Sequence, residues 1–211
     1  MILTQARVPY DVTAREWKDG GFRDSYSWHK RIWEAFPGRP SEAKRDFLTR
    51  IDDTGHNFRL LILSPEPPTR PDWCPSADWQ SKKINNSFFL HPQYRFSLLV
   101  NPTRKKVVRD TKGNRRKNGK RIPITLREDL VDWLHRKAQQ HGFEIHEPNS
   151  LKIIPHAKRH FLKKGAAGIH TATEFIGGLK VLDPTKFQEA AVKGIGSAKA
   201  FGFGMLCLAP E

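Results

Sequence analysis

Tyr26 and His29 are the pair whose residue types and spacing suit proton transfer. Three residues apart, they stand one above the other on the flank of any helix that holds both. Histidine is also the side chain whose ordinary pKa lies closest to neutrality. A second stretch, GIGSAKAFGFGML from Gly194 to Leu206, suits an anion. Its glycines at 194, 196, 202 and 204 free the backbone to turn successive N–H groups toward a phosphate, and Lys199 adds a point charge. These glycines follow a helical pattern and precede a strand. That order fits neither the strand-to-helix turn of dinucleotide binders nor a Walker loop, which disfavours nucleotide cofactors. Both features keep a second reading. Gly194 suits a helix C-cap, which leaves the other three glycines unexplained, and His29 suits a histidine that only caps or hydrogen-bonds within the fold.

Charge narrows the partner. The 211 residues carry 37 Lys and Arg against 22 Asp and Glu, a formal net charge of +15. Such an excess asks for a polyanion, nucleic acid first and a membrane surface second. No basic amphipathic helix or lipidation signal supports the membrane. Two stretches concentrate the charge. Residues 104–121 hold ten Lys or Arg, among them Arg115, Arg116 and Lys117, against the single acid Asp110. Residues 156–170 hold Lys158, Arg159, Lys163 and Lys164 with three histidines. Those histidines are irregularly spaced with no carboxylate between them, so no metal site is expected; a basic hairpin entering a nucleic-acid groove is. Cys74 and Cys207 lie far apart without a CxxC, which argues against a disulfide framework or zinc. No apolar run approaches the roughly 18 residues of a membrane span. MILTQARV reads as a first strand rather than a leader, so a cytoplasmic protein without cofactor is expected.

Among nucleic acids, RNA brings its own nucleophile, the 2′-OH beside each phosphate. A protein then needs only to align the sugar, move one proton off and one on, and steady the phosphorane. A histidine, a tyrosine one turn away and a lysine-bearing glycine loop supply those parts, and such acid–base help is worth about 10²- to 10⁴-fold. A pure RNA binder has the same charge and remains the alternative.

The elements that must position these residues read as one order used twice. Residues 1–8 alternate as a strand, and 9–24 read as a loop. A helix then starts at an Asp24 or Ser25 cap, repeats Trp28, Ile32, Trp33 and Phe36, and stops at Pro37-Gly38. Residues 46–52 and 57–64 form a hairpin across Thr54-Gly55. A helical or irregular piece over 72–80 and a strand over 84–90 complete a β-α-β-β-α-β unit. The pattern then restarts with a strand over 94–102. Thr125 and Glu128 suggest a capping box for a helix with Leu126, Leu130, Trp133, Leu134 and Ala138 on one face, ended by Gly142. Strands over 143–155 and 173–182, a helix from Asp183-Pro184 to Gly194 and a final strand MLCLA follow. This predicts an α+β protein of two tandem ferredoxin-like domains, 1–91 and 92–211.

The motifs themselves point to a family. YSWHKRIWEAFPGRP with RDFLTRI, YRFSLLVNP, GNRRKNGKRIPI, DWLHRK, GGLKVLDP and the terminal GIGSAKAFGFGMLCLAP resemble, nearly end to end, the CasE-type CRISPR repeat endoribonucleases of type I-E Cascade complexes. The resemblance implies tandem ferredoxin-like domains and metal-independent cutting of CRISPR precursor RNA at the base of each repeat hairpin. It also implies a 2′,3′-cyclic phosphate and a 5′-hydroxyl as products, and retention of the crRNA beside other Cascade subunits. The family's catalytic histidine and helix tyrosine match His29 and Tyr26. Its glycine-rich loop matches Gly194 to Gly204, and its groove-entering hairpin matches the stretch with Lys158, Arg159, Lys163 and Lys164.

Overall fold

The computed structural model describes every residue except 17–20, 41, 108–113, 115–119 and 164. The first strand, β1 (Ile2–Pro9), buries Ala6 and Val8. The stretch read as a loop begins with a short helix, α1 (Tyr10–Arg15), which buries Val12 and Thr13. At six residues it is too short to show a periodic pattern. Helix α2 (Ser25–Trp33) starts where its cap predicts: the Asp24 carboxylate accepts the N–H groups of Tyr26 and Ser27, and Ser27 Oγ accepts that of Asp24. Strands β2 (Leu48–Asp53) and β3 (Asn57–Ser64) form the expected hairpin, turning at Gly55 with φ +84°. The next strand lies earlier than its pattern suggests. β4 is Trp79–Lys83, paired with β1, while Asn86–Phe89 coils into a 3-10 turn that buries Phe89. The second helix of this unit shrinks to the 3-10 turn Ser76–Asp78.

The second unit opens with β5 (Gln93–Val100) and carries an inserted ribbon, β6 (Thr103–Lys106) and β7 (Lys120–Pro123). Helix α3 (Arg127–Gln140) buries Leu130, Trp133, Leu134 and Ala138. The Thr125–Glu128 capping box does not form, because Leu126 occupies the N-cap position, 69% exposed and off the buried face. The strand expected over 143–155 is broken into β8 (Phe143–His146) and β9 (Lys152–Lys163) by a left-handed Glu147 and a 3-10 turn. β10 (Ala166–Val181), α4 (Pro184–Lys193, capped by Asp183) and β11 (Leu206–Pro210) complete the chain.

Both sheets have the strand order of a split βαβ unit, β2-β3-β1-β4 and β11-β5-β10-β8, with antiparallel neighbours. The α+β, tandem ferredoxin-like expectation is thus borne out. β9 lies on the same edge of β10 as β8. Since β5 accompanies β10 only from Thr173 onward, the earlier part of β10 and its partner β9 project from the sheet as a two-stranded arm. No helix among the described residues is long and apolar enough to cross a membrane.

A buried polar group joins the two sheets. Arg50 on β2 donates to Asp52 (2.8 Å), to Ser97 on β5 (2.5 Å) and to Glu174 on β10 (2.6 Å). His156 on β9 meets the other Glu174 oxygen at 2.9 Å. Burial opposes the Glu174 charge, but hydrogen bonds from Ser97, Arg50 and His156 prevail and hold its pKa at about 2, down from 4.5. A depressed carboxylate contributes stability that is present above its unfolded pKa and is lost as pH falls through the folded value. Glu174→Gln should therefore destabilise the neutral protein by about 3 kcal/mol. It should also flatten the loss of stability between pH 4.5 and 2. Thermal melts across that range check both, and a parallel pH profile for the two proteins would remove Glu174 from this role.

Candidate active site

Helix α2 holds Tyr26 and His29 on a rigid base, because Trp28 and Ile32 on the same helix are buried in the first core. Their rings lie 6.3 Å apart. Facing both is Phe201, carried by the glycine-rich loop between α4 and β11, 6.4 Å from Tyr26 and 6.3 Å from His29. The arm closes the other side, with Phe161 5.0 Å and His170 4.7 Å from Phe201. Lys163 at the end of β9 sets its ammonium 5.8 Å from the Tyr26 ring centre, and Lys30 stands 5.6 Å from the same ring. The site is therefore assembled from three elements distant in sequence.

His29 is half-buried and strongly perturbed. Burial, then the charges of Arg45 and Lys163, push its pKa down to about 4 from 6.5, so the imidazole is neutral at pH 7. Trp33 Nε1 donates to His29 Nε2 at 3.2 Å, which leaves the proton of the neutral ring on Nδ1. Trp33 is itself held edge-on against Phe47 at 5.0 Å. A neutral imidazole can accept a proton from a substrate and, once it has done so, give one back. His170 is stacked on Phe161 at 4.6 Å; burial, then Arg159, lowers its pKa, and its Nδ1 is buried without a partner among the described residues.

The arm is tied to α2. Leu162 N–H donates to Asp24 Oδ2 at 2.6 Å, while the other oxygen of that carboxylate caps α2. Ser25 Oγ donates to His160 O at 3.1 Å. Arg159 turns inward: its guanidinium donates to Ile51 O at 2.7 Å and Phe201 O at 3.3 Å, and lies 4.9 Å from the Phe203 ring centre. It locks arm, β2 and loop together, whereas Lys158 and Lys163 are exposed. Lys164, Arg115, Arg116 and Lys117 lie outside the described residues.

The glycine-rich loop has a different logic from a simple phosphate cradle. The N–H groups of Gly194 and Gly204 bond Ala190 O and Leu99 O at 2.8 Å each, and Ile195 N–H bonds Gly204 O. A Cβ at Gly204 would sit 2.5 Å from Ile195 O, so glycine there permits the chain to cross itself. Lys199 does not reach His29; its Nζ donates to Lys193 O at 2.9 Å and Gly194 O at 3.3 Å, closing the end of α4. Gly202 packs beside the Arg159 guanidinium, and Gly196 borders an open cleft. Sequence reasoning missed Phe201, Arg45 and the double role of Asp24. An aromatic residue between loop glycines, as in AFGFG, was the available signal for Phe201.

A histidine and a tyrosine on one helix thus lie between a basic arm and a glycine-rich loop. The family described as CRISPR associated protein matches residues 3–210. The chain belongs to that family. It is 27% identical over 207 residues to the CRISPR system Cascade subunit CasE of Escherichia coli, covering 94% of this chain and 96% of that protein. It is 24% identical to the CRISPR-associated endoribonuclease Cse3 of Thermus thermophilus, covering 88% and 90%. A structure of a CRISPR endoribonuclease Cse3 bound to a 19-nucleotide RNA matches with a TM-score of 0.77 at 21% identity, over 100% of both chains. The last likeness supports the fold of this CRISPR associated protein.

Since Lys163 adds to the pressure on His29, Lys163→Ala should raise the His29 pKa from about 4 partway toward 6.5. Lys158→Ala should not. Histidine resonances followed by NMR titration give the answer, and an unmoved His29 in the Lys163 variant would show that the arm's charge does not reach the ring.

Proposed function

We propose that this protein is a metal-independent endoribonuclease that binds the hairpin of a CRISPR repeat and cuts precursor RNA at its base. It then keeps the crRNA, in the cytoplasm, beside the other subunits of a Cascade assembly. The observation that carries this reading is His29: a neutral imidazole on a packed helix, next to Tyr26 and within the field of Arg45 and Lys163. Similarity to CasE and Cse3 over most of the chain supports the substrate class.

In the step proposed, the 2′-oxygen bonds to phosphorus and the P–O5′ bond breaks, giving a 2′,3′-cyclic phosphate and a 5′-hydroxyl. One proton leaves the 2′-oxygen and one reaches the 5′-oxygen. His29 moves one of them, and the Tyr26 hydroxyl orients the sugar or shares the proton work. Lys163 and Arg45 face the charge that builds on the phosphorane. Because the nucleophile belongs to the RNA, the reaction does not require a metal to generate one. Lys158, Lys163 and Lys164 hold hairpin phosphates, with Arg115, Arg116 and Lys117 as further contacts. Arg159, Gly194, Gly202 and Gly204 shape the surface that receives the RNA. Residues 1–91 act as the domain that carries the catalytic helix, and 92–211 as the domain that brings arm and loop to it.

His29→Ala should lower the single-turnover rate by about 10²-fold or more with little change in hairpin affinity, since proton transfer matters only in the transition state. Tyr26→Phe should lower it less. Deoxy substitution at the 2′ position before the scissile phosphate should stop cutting and preserve binding, and cutting should persist in EDTA. Full activity in the His29 variant, or a loss that follows its melting temperature, would remove His29 from the active site, and no cutting by the wild-type protein would leave a silent RNA-hairpin binder. Activity abolished by EDTA and restored by magnesium would overturn the metal-independent step.

A further inference from the structure

The loop that brings Phe201 to His29 turns its earlier residues into a different place. Gly196, Ser197 and Lys199 border an open cleft of about 570 Å³, whose other walls are the inserted ribbon and the last turns of α3. Lys105 on β6, Arg121 on β7, Lys137 on α3 and Lys199 all line it, and no carboxylate among the described residues does. Glu189, whose charge acts on His141 at this end of α3, is paired with Lys193. Two of the cations are held in place: Lys137 donates to Gln140 Oε1 at 2.8 Å, and Lys199 to the α4 carbonyls. Like charges crowded into a concave site without a counter-charge repel one another, and a bound anion relieves that repulsion. The effect is visible in Lys199, whose pKa is lowered by burial and by Arg45, Lys137 and Lys193.

Continuity with the active site is the second observation. Arg45 presses on His29 and on Lys199 alike, so it stands within electrostatic reach of both. Lys163, Arg45, Lys199 and Lys137 therefore form one cationic track that starts at His29 and runs past the loop into the cleft. A track of separated charges matches a linear polyanion better than a small ligand. A duplex is convex and meets the exposed arm, whereas a concave trough takes a single strand. Trp133 in the cleft wall is 4% exposed, so base stacking on it is closed off, and the four cations direct recognition to phosphates.

We infer that this cleft binds the phosphate backbone of a single-stranded RNA segment flanking the hairpin, independently of its sequence. The inference rests on the ribonuclease reading for the identity of that strand, though the cleft can be tested apart from cutting.

The experiment uses the full chain and RNA made uncleavable by a 2′-deoxy scissile nucleotide. Affinity is measured by fluorescence anisotropy at several salt concentrations. The ligands are the bare hairpin, the hairpin with about eight single-stranded nucleotides added on the 5′ or the 3′ side, and that strand alone. One of the two extensions should tighten binding to the wild-type protein by roughly tenfold and steepen the salt dependence by about two units of log K against log salt. The triple variant Lys105→Ala, Arg121→Ala, Lys137→Ala should lose most of that gain while its grip on the bare hairpin changes little, which also shows that it is folded. A variant with the exposed Lys82, Lys83 and Lys180 changed to Ala should keep the gain, separating the cleft from net charge. No gain from either extension, a gain that survives the cleft variant, or an equal loss on bare and extended RNA would each overturn the inference and leave the ribonuclease reading standing. If the hairpin fails to bind while the strand alone binds through the cleft, the hairpin reading falls and the cleft remains.

Discussion

The contact on which the rest of this structure depends is the buried bond from Arg50 to Glu174. It crosses from the first sheet to the second, and each partner has neighbours that build the site. Ile51, next to Arg50, accepts Arg159 from the arm; His170, four residues before Glu174, packs at a tilt against Phe201. Buried ion pairs are poor sources of net stability, because desolvation offsets most of the attraction. Their use here is registry. With Asp52, Ser97 and His156 satisfying the remaining groups, the pair admits one alignment of β2 on β10, and that alignment sets the arm over α2.

The chemistry follows from that alignment. His29 alone on its helix would be an ordinary surface histidine. Burial against Phe201, together with the approach of Arg45 and Lys163, makes it a neutral group in a positive field. The same cations that drive its proton off are those a phosphodiester would neutralise. Substrate binding and the protonation state of His29 are thus linked through Coulomb interactions, without any moving part. Asp24 adds a mechanical link, since one carboxylate both caps α2 and receives the arm's Leu162 N–H.

The glycine-rich loop separates two electropositive surfaces. One of its faces delivers Phe201 to His29, and the other opens on the cleft with Lys137 and Lys199. Its glycines serve backbone crossing and close packing more than direct anion contact, as the occupied N–H groups of Gly194 and Gly204 show. Lys199 caps α4 on one side and faces the cleft on the other.

By itself the sequence determined what is local. The Asp24 cap, the stripe of Trp28 and Ile32, the Thr54-Gly55 turn, the Asp183-Pro184 start and the order of elements are properties of neighbours along the chain, and they specify both units and the Tyr26–His29 helix. The terminal motif and its companions specified the family. Tertiary structure alone decided which charges are free. Lys158 and Arg159 are adjacent and look alike in sequence, yet strand alternation turns the first outward and the second in toward Ile51 O. It also decided that β4 pairs with β1 through Trp79–Lys83 rather than through the more apolar 84–90, because backbone pairing with a distant strand outweighs local preference. The neutral state of His29 is decided in the same way. A pKa is set by the groups around it: Arg45 acts on His29 from within the first unit, whereas Lys163 and Phe201 reach it only once the two sheets are joined.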